Sequence, residues 1–226
     1  MSGKLDKLTS GVVAVAAVVV AASVVYRVFL EENAGPSETR SPEYVRDWES
    51  VLEAGIPLGG DTTAPITVVT FTDLECPACR AFHETLTALL GQRPRDVYVT
   101  YLGYPLDYHR FARAAAHAAE CAYDLGAFRS WVDAVFQKQD SLGLKTWASY
   151  ANDAGISPID VIERCAARTE ASVRQNAVHE FAARLDPRGV STPTVLVNGW
   201  WFHNVPSRTE LISAIDTLLA GRSLRR

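Results

Sequence analysis

Ile66-Thr67-Val68-Val69-Thr70-Phe71 leads into Cys76-Pro77-Ala78-Cys79, and a helix-like stretch, residues 80–90, follows. The first six residues are apolar and β-branched, the composition of a strand. Two cysteines separated by two residues at a strand-to-helix junction can open and close a disulfide. The spacing lets the sulfurs meet, and the helix start stabilises the thiolate that performs the exchange. Cys76 is therefore the candidate nucleophile. Cys79, one turn deeper, is the candidate resolving thiol. Pro77 suits the first helical turn, where its missing N–H costs nothing. Ala78 offers no charge and no donor. A structural disulfide or half of a zinc site are the alternatives for this motif.

A free thiol ionises near ~8.5, and activated ones reach ~3.5. The largest such drop requires about 7 kcal/mol. A helix dipole supplies ~0.3–1 kcal/mol, and ~2 in good geometry. Hydrogen bonds from the Cys79 side or the intervening backbone must add the rest.

Working outward, residues 42–54 place Val45, Trp48, Val51 and Leu52 at helical spacing, and Gly55 ends that helix. Gly59-Gly60-Asp61 reads as a turn into the first strand. Beyond the cysteine helix, Arg93-Pro94-Arg95-Asp96 is a break, and residues 97–102 alternate as a second strand. Residues 110–185 show no strand pattern. Helices are predicted at 110–125, 128–139, 146–154 and 170–185. Ser157-Pro158 predicts one more, with Ser157 as N-cap and Pro158 at the first helical position.

Strand character returns at 194–197 and 200–202, on either side of Asn198-Gly199, a two-residue hairpin signal. Trp200 and Trp201 should face opposite sides of that strand. Ser207 and Glu210 form a capping box for a closing helix that carries Leu211, Ile212, Ile215, Leu218 and Leu219 on one face.

Residues 11–25 are apolar except for Ser23, and the apolar character resumes through 28–30. A helix of about 20 such residues spans a bilayer. Lys4 and Lys7 precede it, and Glu31 and Glu32 follow it. The positive-inside rule then puts residues 1–10 in the cytoplasm and the bulk of the chain outside. A cleaved signal peptide with Val20-Ala21-Ala22 at its cleavage point is the alternative. Either way the domain is expected in the periplasm or at the cell exterior, where disulfides persist.

The chain has 226 residues, 48% of them hydrophobic, enough for a globular core. Its net charge of −4, with no basic face, argues against a nucleic-acid partner.

The order is thus β, α, β, a helical block, then β, β, α. The chain resembles the DsbA-like thiol-disulfide oxidoreductases of the thioredoxin superfamily. The resemblance is carried by three stretches. They are Phe71-Thr72-Asp73-Leu74-Glu75-Cys76-Pro77-Ala78-Cys79, then Ala118-Ala119-Glu120-Cys121-Ala122, then Thr192-Pro193-Thr194 running into Val197-Asn198-Gly199. It implies an α/β thioredoxin-like domain at 55–220 with a helical insertion at about 106–186. An anchor or signal peptide at 11–30 and a linker with a short helix at 31–54 precede it, and a tail at 221–226 follows.

The resemblance also implies roles. Pro193 is expected to be cis and to pack beside the cysteine pair, its loop presenting backbone groups to a substrate chain. Thr192 before it affects redox behaviour in the family. Cys121 and Cys165 are expected to bridge two insertion helices, closing a loop of about 45 residues that would stabilise the fold by ~4 kcal/mol. Two separate buried thiols are the alternative, and zinc held by all four cysteines a further one. Asp73 or Glu75 would accept a proton from Cys79; otherwise both are solvated charges. DsbA itself carries a histidine in the pair between its cysteines. Ala78 here predicts a less oxidising couple.

The expected activity is donation of the Cys76–Cys79 disulfide to unfolded exported proteins with free cysteines. A membrane protein of the DsbB or vitamin K epoxide reductase-like kind would reoxidise it. No cofactor and no metal are expected. His83, His109, His117, His179 and His203 form no ligand pattern and read as surface or capping residues. A reductase or isomerase on the same scaffold, or a non-catalytic tethered interaction domain, are the competing functions.

Overall fold

The computed structural model describes residues 40–224. The expected anchor at 11–30 lies outside them, as do residues 1–10 and most of the linker. No helix among the described residues is long and apolar enough to cross a membrane.

Six strands form one sheet: β1 (Glu43–Tyr44), β2 (Ile56–Gly60), β3 (Ile66–Thr72), β4 (Val97–Gly103), β5 (Thr194–Val197) and β6 (Trp200–Phe202). Their order is β1-β6-β5-β3-β4-β2. β3 and β4 run parallel, joined by a crossing helix, α1 (Pro77–Gln92). The other neighbouring pairs are antiparallel. Between β4 and β5 come α2 (Ala112–Asp124), α3 (Phe128–Gln137), α4 (Trp147–Asp153), α5 (Ile159–Ala166) and α6 (Val173–Leu185). The chain closes with α7 (Arg208–Leu219).

Both faces of the sheet are covered, so β3 reads as a nearly continuous apolar run. Ile66 and Val68 belong to one core with Phe82, Leu86 and Leu89 of α1 and Leu211 and Ile215 of α7. Val69 and Phe71, one residue out of phase, belong to a second core with Val178 and Phe181 of α6 and with Trp48 and Val51. Leu90 of α1 and Trp131 of α3 share the first core, so the insertion extends it rather than forming a separate one.

The β5–β6 hairpin turns through Asn198 and Gly199, at φ 44° and 82°. Both central residues at positive φ suit the twist of the flanking strands. A Cβ on Gly199 would also sit 2.4 Å from the Trp48 ring. The Ser207–Glu210 capping box is formed, both halves present.

Several boundaries differ from those expected. Residues 42–54 are not one helix: Glu43–Tyr44 pairs with β6, and a 3₁₀ helix follows at Trp48–Ala54. Trp48, Val51 and Ala54 are its buried residues, a spacing of three that matches three residues per turn. Gly59 and Gly60 belong to β2 rather than to a turn. Pro57 sits exposed on this edge strand, where no neighbour needs its N–H. Pro158, not Ser157, caps α5; its extended ψ of 136° makes Ile159 the first helical residue. Ser172 accepts a bond from the Gln175 N–H, so α6 starts at Val173 and not at 170.

Candidate active site

Cys76 is the N-cap of α1, with an extended ψ of 120°, and Pro77 follows at the first turn. The helix thus begins at Pro77, the first-turn position expected of that proline. β3 ends at Thr72, and a tight turn carries the chain into α1: the Cys76 N–H donates to the Asp73 carbonyl at 3.2 Å. Both cysteines are buried, Cys76 at 7% exposure and Cys79 at 1%. The structure holds them as two thiols, the reduced form.

The Thr192–Pro193 peptide is cis and lies against this pair. The Cys76 thiol donates to the Thr192 carbonyl at 3.4 Å. The Thr192 hydroxyl is buried and has no hydrogen-bond partner among the described residues in this dithiol form. It can turn its proton to a sulfur that carries charge.

These surroundings separate the two sulfurs. Cys76 falls from an ordinary 9.0 to about 5. The Cys79 thiol is the largest cause, donating to the Cys76 thiolate. Burial opposes the fall, and the Thr192 hydroxyl and the N–H groups of Cys79 and Ala78 assist it. The gap corresponds to about 5 kcal/mol. That exceeds the ~2 kcal/mol of a helix N-terminus at its best, so neighbouring donors carry most of it. Cys79 moves the other way, raised far above an ordinary thiol chiefly by burial and then by its bond to Cys76. At neutral pH one sulfur is a thiolate and the other keeps its proton.

The sign of the pH dependence follows. The folded midpoint of Cys76 is depressed, so ionisation stabilises the reduced fold. That contribution is complete above about pH 9 and is lost as pH falls through about 5. Alkylation of the reduced protein by iodoacetamide should follow the same titration. From pH 5 to pH 7 the rate should rise only about twofold. An ordinary thiol would quicken about a hundredfold over that range.

Asp73 is not a solvated charge. Its side chain is fully buried. Oδ1 accepts from the Glu75 N–H at 2.7 Å, and Oδ2 from the Leu106 N–H and from His109 Nδ1, both at 2.8 Å. Glu75 accepts from the Phe111 N–H at 2.5 Å. The two acids thus tie the loop after β4 to the cysteine turn. The Asp73 N–H donates to Cys79 Sγ at 3.4 Å, so backbone rather than carboxylate meets the resolving sulfur.

The histidines are less uniform than expected. His117 is wholly buried, with Gln175 Nε2 at 3.4 Å from its Nδ1. His83 is 8% exposed, 2.6 Å from Asp133 and against the Phe136 ring. His109 bears on the site through Asp73. Sequence spacing carries no signal for that contact, because the two residues come from separate loops. Gln139, between α3 and α4, was also missed, and it reaches the cysteine turn.

Cys121 and Cys165 are bonded to each other, linking α2 to α5. Trp200 is buried, whereas Trp201 is partly exposed against the second core. Among the described residues no cluster of three or more His, Cys, Asp or Glu could hold a metal ion.

A βαβ unit with a dithiol at the start of its helix, faced by a cis-proline at the start of an antiparallel strand, defines a thioredoxin-fold dithiol protein. Residues 54–217 match the thioredoxin family, and the chain belongs to it. Solved structures of thioredoxin-like proteins share its fold. A thioredoxin-like oxidoreductase from Silicibacter pomeroyi DSS-3 is similar with a TM-score of 0.65 at 22% identity, over 78% of this chain and 98% of that one. Oxidised BdbD from Bacillus subtilis gives 0.63 at 22% identity, over 81% and 98%. At such identities the likeness is one of fold. Among curated proteins the chain is similar to the Na(+)/H(+) antiporter NhaA 1 of Salinispora arenicola, 31% identical over 186 residues. That match covers 78% of this chain and spans only 28% of the antiporter's length.

Proposed function

We propose that this chain is an extracytoplasmic, membrane-anchored thiol-disulfide oxidoreductase that forms disulfides in exported proteins through Cys76. The observation that carries the reading is a pair of thiols at the start of α1 set against the cis Thr192–Pro193 peptide, Cys76 Sγ lying 3.4 Å from the Thr192 carbonyl and Cys79 buried behind it. These surroundings favour a Cys76 thiolate beside a protonated Cys79. The apolar stretch at 11–30 supports the anchor.

In the oxidised enzyme a substrate thiolate attacks Cys76 Sγ. The Cys76–Cys79 bond breaks, and Cys79 leaves and takes up a proton. A second substrate thiolate then attacks the substrate sulfur of the mixed disulfide. Cys76 departs as a thiolate, a good leaving group because its midpoint is low. The substrate loses two electrons and the enzyme gains them. A membrane protein of the DsbB or vitamin K epoxide reductase-like kind would remove them again. The Thr192–Pro193 loop, whose Thr192 carbonyl lies 3.4 Å from Cys76 Sγ, would offer its backbone to a substrate chain joined to that sulfur.

The test is the reduction potential of the Cys76–Cys79 couple, paired with oxidation of a reduced, unfolded substrate. A thiolate-stabilised reduced form raises the potential towards that of DsbA, about −120 mV, and away from thioredoxin, about −270 mV. The expected value lies between them, since Ala78 supplies no charge, with stoichiometric oxidation of the substrate. A value near −270 mV together with no substrate oxidation would overturn the oxidase in favour of the reductase reading.

A further inference from the structure

We propose that Gln139 is a positioning residue through which the helical insertion holds the Cys76 turn in its reactive geometry. This rests on the thiol-exchange reading above and deepens it. Gln139 belongs to a short 3₁₀ turn, Gln139–Ser141, directly after α3. Its side chain is buried, at 6% exposure. Nε2 donates to the Leu74 carbonyl at 2.9 Å and to the Cys76 carbonyl at 3.0 Å. The amide orientation is fixed by chemistry: turned over, its oxygen would face two carbonyl oxygens.

The two protons of one amide thus clamp the carbonyls on either side of Glu75. That clamp does two things. It fixes the backbone that aims Cys76 Sγ at the Thr192 loop. It also covers the negative ends of two carbonyl dipoles close to the sulfur, which would otherwise oppose a charge there. The Cys76 carbonyl additionally receives the Arg80 N–H at 3.2 Å, the first turn of α1, so the same contact secures the helix start.

The turn bearing Gln139 is itself held from both sides. On the preceding residue, the Lys138 carbonyl accepts from the hydroxyl of Tyr150, a fully buried residue of α4, at 3.1 Å. Lys138 Nζ pairs with Asp153 at 2.5 Å. On the following residue, Asp140 takes Arg80 of α1 at 3.1 Å through both oxygens. The insertion is therefore joined to the nucleophile by a continuous set of bonds from α4 through Gln139 to Cys76. The exposed Arg80–Asp140 pair contributes little by itself. The buried amide is the member whose loss uncovers polar groups.

The test uses the full-length chain and its Gln139→Met variant, which keeps the length of the arm and removes both donors. Two quantities are read: the pH midpoint of Cys76 thiolate absorbance in the reduced protein, and the equilibrium constant for reduction by glutathione. The midpoint should rise by about one pH unit, and reduction should become about tenfold less favourable, about 30 mV. Denaturation of each redox form supplies the readout that a merely structural role would not move. The reduced form should lose more stability than the oxidised form, because the charge resides only in the former.

An unchanged midpoint and equal losses in both forms overturn the inference. Should Gln139→Met not fold, Gln139→Asn is read in the same way. Its shorter arm withdraws a donor from at least one carbonyl, so an unchanged midpoint there overturns the inference equally. If the unsubstituted chain titrates as an ordinary thiol, the functional reading fails, and this inference with it. If it titrates near 5 and the variants match it, only this inference fails.

Discussion

Replacing Cys76 with serine is expected to abolish thiol–disulfide exchange, lowering the rate of substrate oxidation at least about a thousandfold. A serine hydroxyl does not ionise at neutral pH and forms no bond to a substrate sulfur. Cys79 cannot substitute, because it is 1% exposed and burial keeps it protonated. Cys79→Ser should behave differently. It leaves the Cys76 thiolate able to attack a substrate disulfide, releasing one substrate thiolate, but removes the thiol that resolves the product, so a mixed disulfide should accumulate and be visible on a non-reducing gel. The pair of outcomes separates nucleophile from resolving thiol. Retained exchange in Cys76→Ser would falsify the assignment of Cys76 as the nucleophile.

Removing the second cysteine pair is expected to act on stability. Cys121 and Cys165 are 44 residues apart in the chain, and their bond closes that loop. Restricting the unfolded ensemble over such a loop stabilises the fold by ~4 kcal/mol in the chain-entropy model. Cys121→Ala with Cys165→Ala should lower the free energy of unfolding by about that amount. Both side chains lie in the main core, so small voids add to the loss. Urea denaturation under oxidising conditions measures it. A change below about 1 kcal/mol would show that the insertion helices hold together without the bridge. The same experiment with a reductant present should leave variant and native chain nearly equal.

Much of the fold was legible because its signals are local. β3 and α1 were placed by a β-branched run, a cysteine pair and a proline within about twenty residues. The β5–β6 hairpin followed from Asn198-Gly199, the one dipeptide whose positive φ values the turn demands. The errors also have a local cause. β1 is two exposed residues long and carries no pattern. β2 contains a proline and two glycines, so propensity pointed to a turn. Its pairing with β4 instead depends on an edge position and on Gly60, whose Cβ would lie 2.0 Å from the Val97 carbonyl oxygen.

The candidate site divides in the same way. Cys76, Pro77 and Cys79 announce themselves by spacing, and a helix start beneath them follows from the chain alone. Their acidity does not. It rests first on the Cys79 thiol, kept protonated by burial, and then on the Thr192 hydroxyl, 116 residues from Cys76 in sequence, while the geometry around it rests on Gln139, 63 residues away, and on Asp73 with His109, 36 apart. The chain by itself determined which atoms would react, since a dithiol at a strand–helix junction is a short-range pattern. The spacing also pointed to Cys76 as the sulfur that ionises. Only the tertiary structure decided how far apart the acidities of the two sulfurs are set, because the burial of Cys79 and the approach of Thr192 exist only after folding and a hydrogen bond acts over about 3 Å.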